Sequence, residues 1–192
     1  MPPAPSITTA VVDELLAFLA RWRPVSPAQE DLRQEYLTFV RAGNGQALDR
    51  EGGPEHITAS CFVVTPDLGR VLLCYHRKGR FWVQLGGHIE PGDPSVAAAA
   101  MREAREEGGI ADLVPVGVLP LDVDRHALSE RFGRCTVHWD VGFGAVAAAD
   151  AVPVTSVESE DVAWWRVDAL PPDVAPGLRE RLRTVLAQMA AS

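Results

Sequence analysis

Residues 102–107 read REAREE, and its three glutamates, Glu103, Glu106 and Glu107, stand at i, i+3 and i, i+4 spacing. On a helix that spacing gathers them on one face. Like charges so placed repel, which lowers helix stability unless something positive stands among them. Three converging carboxylates make a hard oxygen-donor cluster, suited to Mg²⁺ or Mn²⁺ rather than zinc. Arg102, one turn before Glu106, could hold a carboxylate in place as outer-sphere groups do for metal ligands. The preceding GGHIEPGD (86–93) supplies backbone carbonyls and glycine freedom beside the helix start. Taken alone, REAREE also reads as a solvated helix face laced with Arg–Glu pairs. The glycine turn at this offset turns the reading toward a metal site.

Other side chains carry weaker signals. His76, Arg77, Lys78 and Arg80 form a basic cluster between two strand-like runs. Arg77 and Lys78 are its best candidates for gripping phosphates, since Arg suits a bidentate contact and Lys a point contact; a solvated hairpin loop is the alternative. His88 follows the double glycine and is a candidate for substrate binding, or else a structural turn histidine. His56, His126 and His138 are expected to be satisfied histidines, not ligands. Asp122, Asp124 and Asp140 are read as structural. Trp164 and Trp165 are adjacent, so on a strand they point to opposite faces: one belongs in the core, and the other packs at a sheet edge or stacks on a base. Cys61, Cys74 and Cys135 are odd in number and lack a CxxC pair, which supports neither a disulfide framework nor a zinc site.

The surrounding pattern must position these residues. Apolar spacing predicts helices over 11–22, with Thr8 or Thr9 as N-cap, and over 27–42, capped by Ser26 and ended by Gly43. Residues 44–54 read as a loop. Strands are expected at 57–65, 70–75 and 81–85, then within 113–123, 135–147 and 161–167. A helix is expected over 95–107, its Ala97 to Ala100 side thin enough to lie close on a sheet, and a closing helix carries Leu178, Leu182, Val185, Leu186 and Met189. Strands and helices interleave with too many hairpins for a pure βαβ repeat, so the expectation is an α/β chain with an α+β mixed sheet covered by helices. Residues 1–55 form a helical lead-in and 56–192 the main domain.

A net charge of −8 and a pI near 5.1 argue against a nucleic-acid or anionic-membrane surface. No apolar run approaches the roughly 20 residues of a membrane span, and the start lacks a basic region followed by an apolar one. A cytoplasmic, reducing location is the default expectation.

These residues resemble the Nudix hydrolases, whose signature is Gly, five residues, Glu, seven residues, then Arg-Glu-aliphatic-any-Glu-Glu-any-Gly-aliphatic. Gly87, Arg102, Glu103, Glu106, Glu107, Gly109 and Ile110 fill their positions. The first acid is Asp93 instead of Glu, and eight residues separate it from Arg102, the extra one falling near Pro94. HITASCFVV, VLLCYHRKGRFWVQLGGHIEPGD and EDVAWWRVDALP extend the resemblance to residues 56–172. It implies a Nudix-like α/β/α sandwich and a hydrolase that cleaves a diphosphate linkage in a small-molecule nucleoside diphosphate derivative; monomer and homodimer both stay open, the N-terminal helices with Trp22 and Phe39 covering a dimer face or capping the sheet. It also implies Mg²⁺ or Mn²⁺ held mainly by Glu106 and Glu107, with Glu103 assisting, the Gly87 carbonyl completing the shell and Arg102 in the catalytic set. The general base is a glutamate of the signature or a carboxylate on a later loop, for which Glu158 and Glu160 are the candidates. The alternative is a non-catalytic Nudix-like module that senses a nucleotide derivative. Isoprenoid diphosphate isomerisation, found on a related branch, needs a catalytic cysteine that none of the three cysteines matches convincingly.

Overall fold

A computed structural model describes residues 6–155 and 159–191. The lead-in forms α1 (Thr9–Arg21) and α2 (Pro27–Gly43). At the start of α2 the Ser26 hydroxyl accepts from the Gln29 amide, with Pro27 in the first turn. The helix takes in Gly43 and stops at Asn44, whose φ of 50° turns the chain. The expected loop after it contains a short helix, α3 (Gly45–Leu48), because Ala47 and Leu48 find a buried site against the core.

Strands follow as β1 (Glu55–Val64), β2 (Arg70–His76), β3 (Phe81–Val83) and β4 (Leu85–His88). The single strand expected at 81–85 is therefore two: β3 pairs with β2, and β4 leaves to pair antiparallel with β1. Gly86 and Gly87 are strand residues, not turn residues. At Gly86 a Cβ would stand 2.6 Å from the Ala59 carbonyl oxygen, and φ is +157°, so only glycine lets β4 lie this close to β1. Helix α4 (Val96–Gly108) starts where Ser95 Oγ accepts from the Ala98 amide and ends at left-handed Gly109 (φ 64°).

The strand expected within 113–123 is reduced to β5 (Val114–Pro115), because Pro115 and Pro120 each lack the amide a ladder needs. Pairing resumes in β6 (Asp122–Ala127), β7 (Val137–Val146) and β8 (Ser159–Arg166), and α5 (Leu178–Ala190) closes the chain. The sheet is mixed, in the order β3-β2-β1-β7-β5, with β4 on β1, β6 on β7 and β8 on β2; β1 and β7 run parallel.

Alternation along β1 divides the layers. Ile57, Ala59, Cys61 and Val63 enter a core with α1, α2 and α4, whereas Phe62 and Val64 enter a second core under α5. Helices thus cover both faces, and the lead-in packs on the sheet. Trp164 and Trp165 go to opposite cores, as their adjacency requires. No described helix is long and apolar enough to cross a membrane.

Candidate active site

The α5 side of the sheet is apolar at one end and polar at the other. His56, Thr58 and Ser60 precede Phe62 and Val64 on the same face of β1. Strand register sets His138 beside His56, Asp140 beside Thr58 and His88 across from Thr58, and places Asp124 and His126 opposite Asp140 and His138. Thr58, Ser60, His88, Asp124, His126, His138 and Asp140 border a cleft of about 750 Å³ that also reaches Glu103, Glu107, Gly87, Arg77 and Lys78.

Helix α4 delivers the acidic cluster to the cleft wall. Glu103 and Glu107 are buried, while the Glu106 side chain is 60% exposed and lies outside the cleft lining. Glu107 Oε2 accepts from the Gly86 amide at 2.8 Å and from the Cys74 thiol at 3.7 Å. Burial, reinforced by Glu107, pushes the Cys74 pKa well up and keeps the thiol protonated as that donor. Glu103 lies against Gly87, where a Cβ would come within 2.5 Å of its carboxylate oxygen.

Arg102 is the positive group among the glutamates. Its Nη1 donates to Glu103 at 3.0 Å and Glu106 at 3.1 Å, and its Nη2 donates to the His88 carbonyl at 3.1 Å. Nε and Nη2 grip both oxygens of Asp93, and Asp93 Oδ2 also accepts from the Glu90 amide at 2.8 Å. The bonds to Asp93 and the charge of Glu103 raise the Arg102 pKa further, so the guanidinium is permanently charged. The tie between the first acid and the helix survives the extra residue, which is taken up in the turn before Ser95.

The other candidate residues expected from the sequence are scattered. Arg77 and Lys78 sit at the cleft beyond β2. Glu160 is exposed near the head of β8, facing the irregularity between Tyr75 and His76, and does not line the cleft. Glu158 lies outside the described residues. His88 reaches the cleft, but its ring packs with those of His56 and His138, at centroid distances of 5.0 and 5.4 Å.

Two groups are not evident from the sequence. Arg181 of α5 is buried against two aspartates: Nε and Nη2 meet Asp122 at 2.7 and 3.1 Å, and Nη2 meets Asp140 at 2.8 Å. Asp140 also accepts from Thr58 at 2.9 Å and Ser60 at 2.5 Å. Burial opposes ionisation of Asp140, yet Arg181 and the Ser60 hydroxyl win and its pKa is lowered. The polar/apolar alternation of DVDRH and HWD is the one signal of this network in the chain. The second group corrects the expectation of satisfied histidines. His126 has Asp124 at 2.7 Å, but the Nε2 atoms of His56, His88 and His138 are buried without a hydrogen-bond partner among the described residues. Burial lowers all three pKa values, to about 4 for His88 and about 3 for His138.

A sequence profile described as the NUDIX domain matches residues 54–188. The chain belongs to the Nudix family. The NUDIX domain supports a place for this Nudix protein among the pyrophosphohydrolases. No curated protein matches the chain. Among solved structures, a NUDIX-family hydrolase from Clostridium perfringens superposes with a TM-score of 0.54 at 21% identity, covering 71% of this chain and 97% of the other. The E. coli dihydroneopterin triphosphate pyrophosphohydrolase gives 0.56 at 19% identity, covering 68% and 95%. The NUDIX domain of Shewanella oneidensis NrtR, complexed with ADP-ribose, gives 0.52 at 16% identity, covering 69% and 86%. At these identities the likeness is one of fold.

Proposed function

We propose that this Nudix protein hydrolyses a diphosphate linkage in a nucleoside diphosphate derivative, with Mg²⁺ or Mn²⁺ held by Glu103, Glu106 and Glu107 and the Gly87 carbonyl. The observation that carries this reading is the pair of buried carboxylates, Glu103 and Glu107, at the cleft wall beside glycine backbone. The Arg102 guanidinium is one positive charge touching Asp93, Glu103 and Glu106, with Glu107 a helical turn from Glu103. The donor set thus keeps an excess of hard anionic oxygen, which fits a divalent cation of the magnesium type. When bound, that ion supplies charge neutralisation at the diphosphate and Lewis acidity.

The chain's own residues do the rest. Arg102 fixes the rotamers of Glu103 and Glu106. Arg77 and Lys78, across the cleft, grip the phosphates. The proton of the attacking water passes to a glutamate of the cluster, or to Glu158 or Glu160 as the alternatives the sequence offers.

The test is turnover with Mg²⁺ and Mn²⁺ over nucleoside triphosphates, ADP-ribose, nucleotide sugars and dinucleotides, comparing the wild type with Glu106→Gln. Hydrolysis of one class, lost in the variant, is expected. Equal activity in Glu106→Gln would remove the site assignment. Silence across the panel would favour a module that binds a nucleotide derivative without turnover.

A further inference from the structure

Outside the acidic cluster, four side chains with metal-ligating atoms converge. One candidate atom each from His56, His88, Cys135 and His138 lies within 4.8 Å of all the others. The three histidines come from three strands, β1, β4 and β7, and Cys135 stands just before β7 in a Cys-x-x-His arrangement, CTVH. His56 and His138 are direct neighbours in the parallel pair, and β4 brings His88 beside them from the other edge of β1. The positions are therefore set by sheet hydrogen bonding, not by flexible loops.

Packing alone does not account for the cluster. His56 is fully buried, and its Nδ1 has the Gly53 carbonyl at 3.4 Å, which favours the tautomer whose Nε2 lone pair is free. Among the described residues that Nε2 has no partner, and neither have the Nε2 atoms of His88 and His138. Three neighbouring imidazoles, each with a buried Nε2 that has no hydrogen-bond partner among the described residues, are a rare arrangement in a folded core. A cation among them would take up the ring nitrogens that face it. The backbone carbonyl behind His56 is the kind of outer-sphere acceptor that orients a ligating imidazole.

We propose that His56, His88, Cys135 and His138 bind one zinc ion in a closed, four-coordinate site, separate from the hard-oxygen site on α4. Three imidazoles and one thiolate match the donor preference and tetrahedral geometry of zinc, and not those of magnesium or calcium. Bonds of about 2.1 Å to nitrogen and 2.3 Å to sulfur put ligand atoms roughly 3.5 Å apart, so the widest pair closes by little more than about 1 Å on binding. The ion would clamp β4 to β1 and β7 directly beyond Gly87, and would tie down the chain ahead of β7. Its role is structural, because all four positions are filled by protein.

The test does not depend on hydrolysis. The full-length protein, expressed with zinc in the medium and dialysed against zinc-free buffer containing Mg²⁺, is expected to retain about one zinc per chain by elemental analysis. After chelation, Co²⁺ should restore one site with intense tetrahedral visible bands and a thiolate-to-cobalt band in the near ultraviolet. Cys135→Ser should abolish the near-ultraviolet band and weaken zinc by more than the ~10–100-fold typical of losing an outer-sphere partner. Glu106→Gln should leave zinc content and the cobalt spectrum unchanged. Cys135 is only half-buried, so its variant should fold; His138→Gln, checked by circular dichroism, gives a second reading of the same loss. A protein that retains no zinc and shows weak octahedral cobalt bands, indifferent to Cys135→Ser, would overturn the proposal and leave a cluster of packed histidines. Zinc lost in Glu106→Gln but kept in Cys135→Ser would overturn it too, by placing the ion on α4.

Discussion

Arg102 grips both oxygens of Asp93, Nε to Oδ1 at 3.0 Å and Nη2 to Oδ2 at 2.9 Å, across a turn one residue longer than the family signature allows. The shorter acid is reached because the side chain of Asp93 is itself buried and held from behind by its bond to the Glu90 amide. Asp93→Asn removes the charge and one half of the fork. We expect kcat to fall and the Mg²⁺ concentration for half-maximal rate to rise, together about 10–100-fold, as for other outer-sphere changes at metal sites. A Mg²⁺ titration of turnover checks this; an unchanged curve would mean that Arg102 positions the glutamates without Asp93.

Gly87 offers a sharper probe. A methyl group there would stand 2.5 Å from Glu103 Oε1, so Gly87→Ala must displace the carboxylate or the strand. Metal-dependent turnover should fall at least ~10-fold, with far-ultraviolet circular dichroism unchanged. Full activity in Gly87→Ala would show that the Glu103 rotamer is not what the site uses.

The buried Asp122–Arg181–Asp140 network should appear in the acid limb of stability. Asp140 has a folded pKa below its ordinary value of about 3.9. Its stabilisation is therefore fully present above that unfolded pKa and is lost as pH falls through the folded one. Asp122 works in the opposite sense, since burial raises its pKa despite Arg181. Asp140→Asn removes the first effect and also relieves part of the upward push on Asp122; between about pH 5 and pH 3 the wild-type urea midpoint should fall more steeply than the variant's. Parallel curves would refute an ionised Asp140. Arg181→Met, which leaves two buried carboxylates unpaired, should lower stability at neutral pH by about 3–5 kcal/mol.

The lead-in helices are coupled to the same strands. The Tyr36 hydroxyl lies 2.8 Å from the carbonyl oxygens of both Asp124 and Asp140, and Phe39 stacks on Trp139 at 4.4 Å. Tyr36→Phe should lower the unfolding free energy by about 1 kcal/mol, read in a single cooperative urea transition followed by tryptophan fluorescence. Two separate transitions would show that residues 1–55 fold apart from the sheet.

Local signals are readable in the chain because local physics writes them. The i, i+3 and i, i+4 spacing of Glu103, Glu106 and Glu107 needs only a helix, and Ser95 and Gly109 mark where that helix begins and ends. Ser26 and Pro27 do the same for α2, and the mixture of strands and helices announces a covered mixed sheet. The break between β3 and β4 is not readable, since FWVQL is one apolar run and only the competition between β2 and β1 for partners divides it.

The floor of the cleft is less readable still. Thr58, Asp140 and Arg181 are far apart in sequence, and each is unremarkable among its neighbours. A period-2 strand says which residues share a face, but register and strand order decide which faces meet. The parallel pairing of β1 with β7 puts His56 beside His138 and Thr58 beside Asp140, and α5 then lays Arg181 across Asp122 and Asp140. The acidic helix face is a property of the chain; the polar floor, the buried ion pair and the meeting of three histidines with Cys135 are properties of its tertiary packing, where long-range pairing alone brings the groups together.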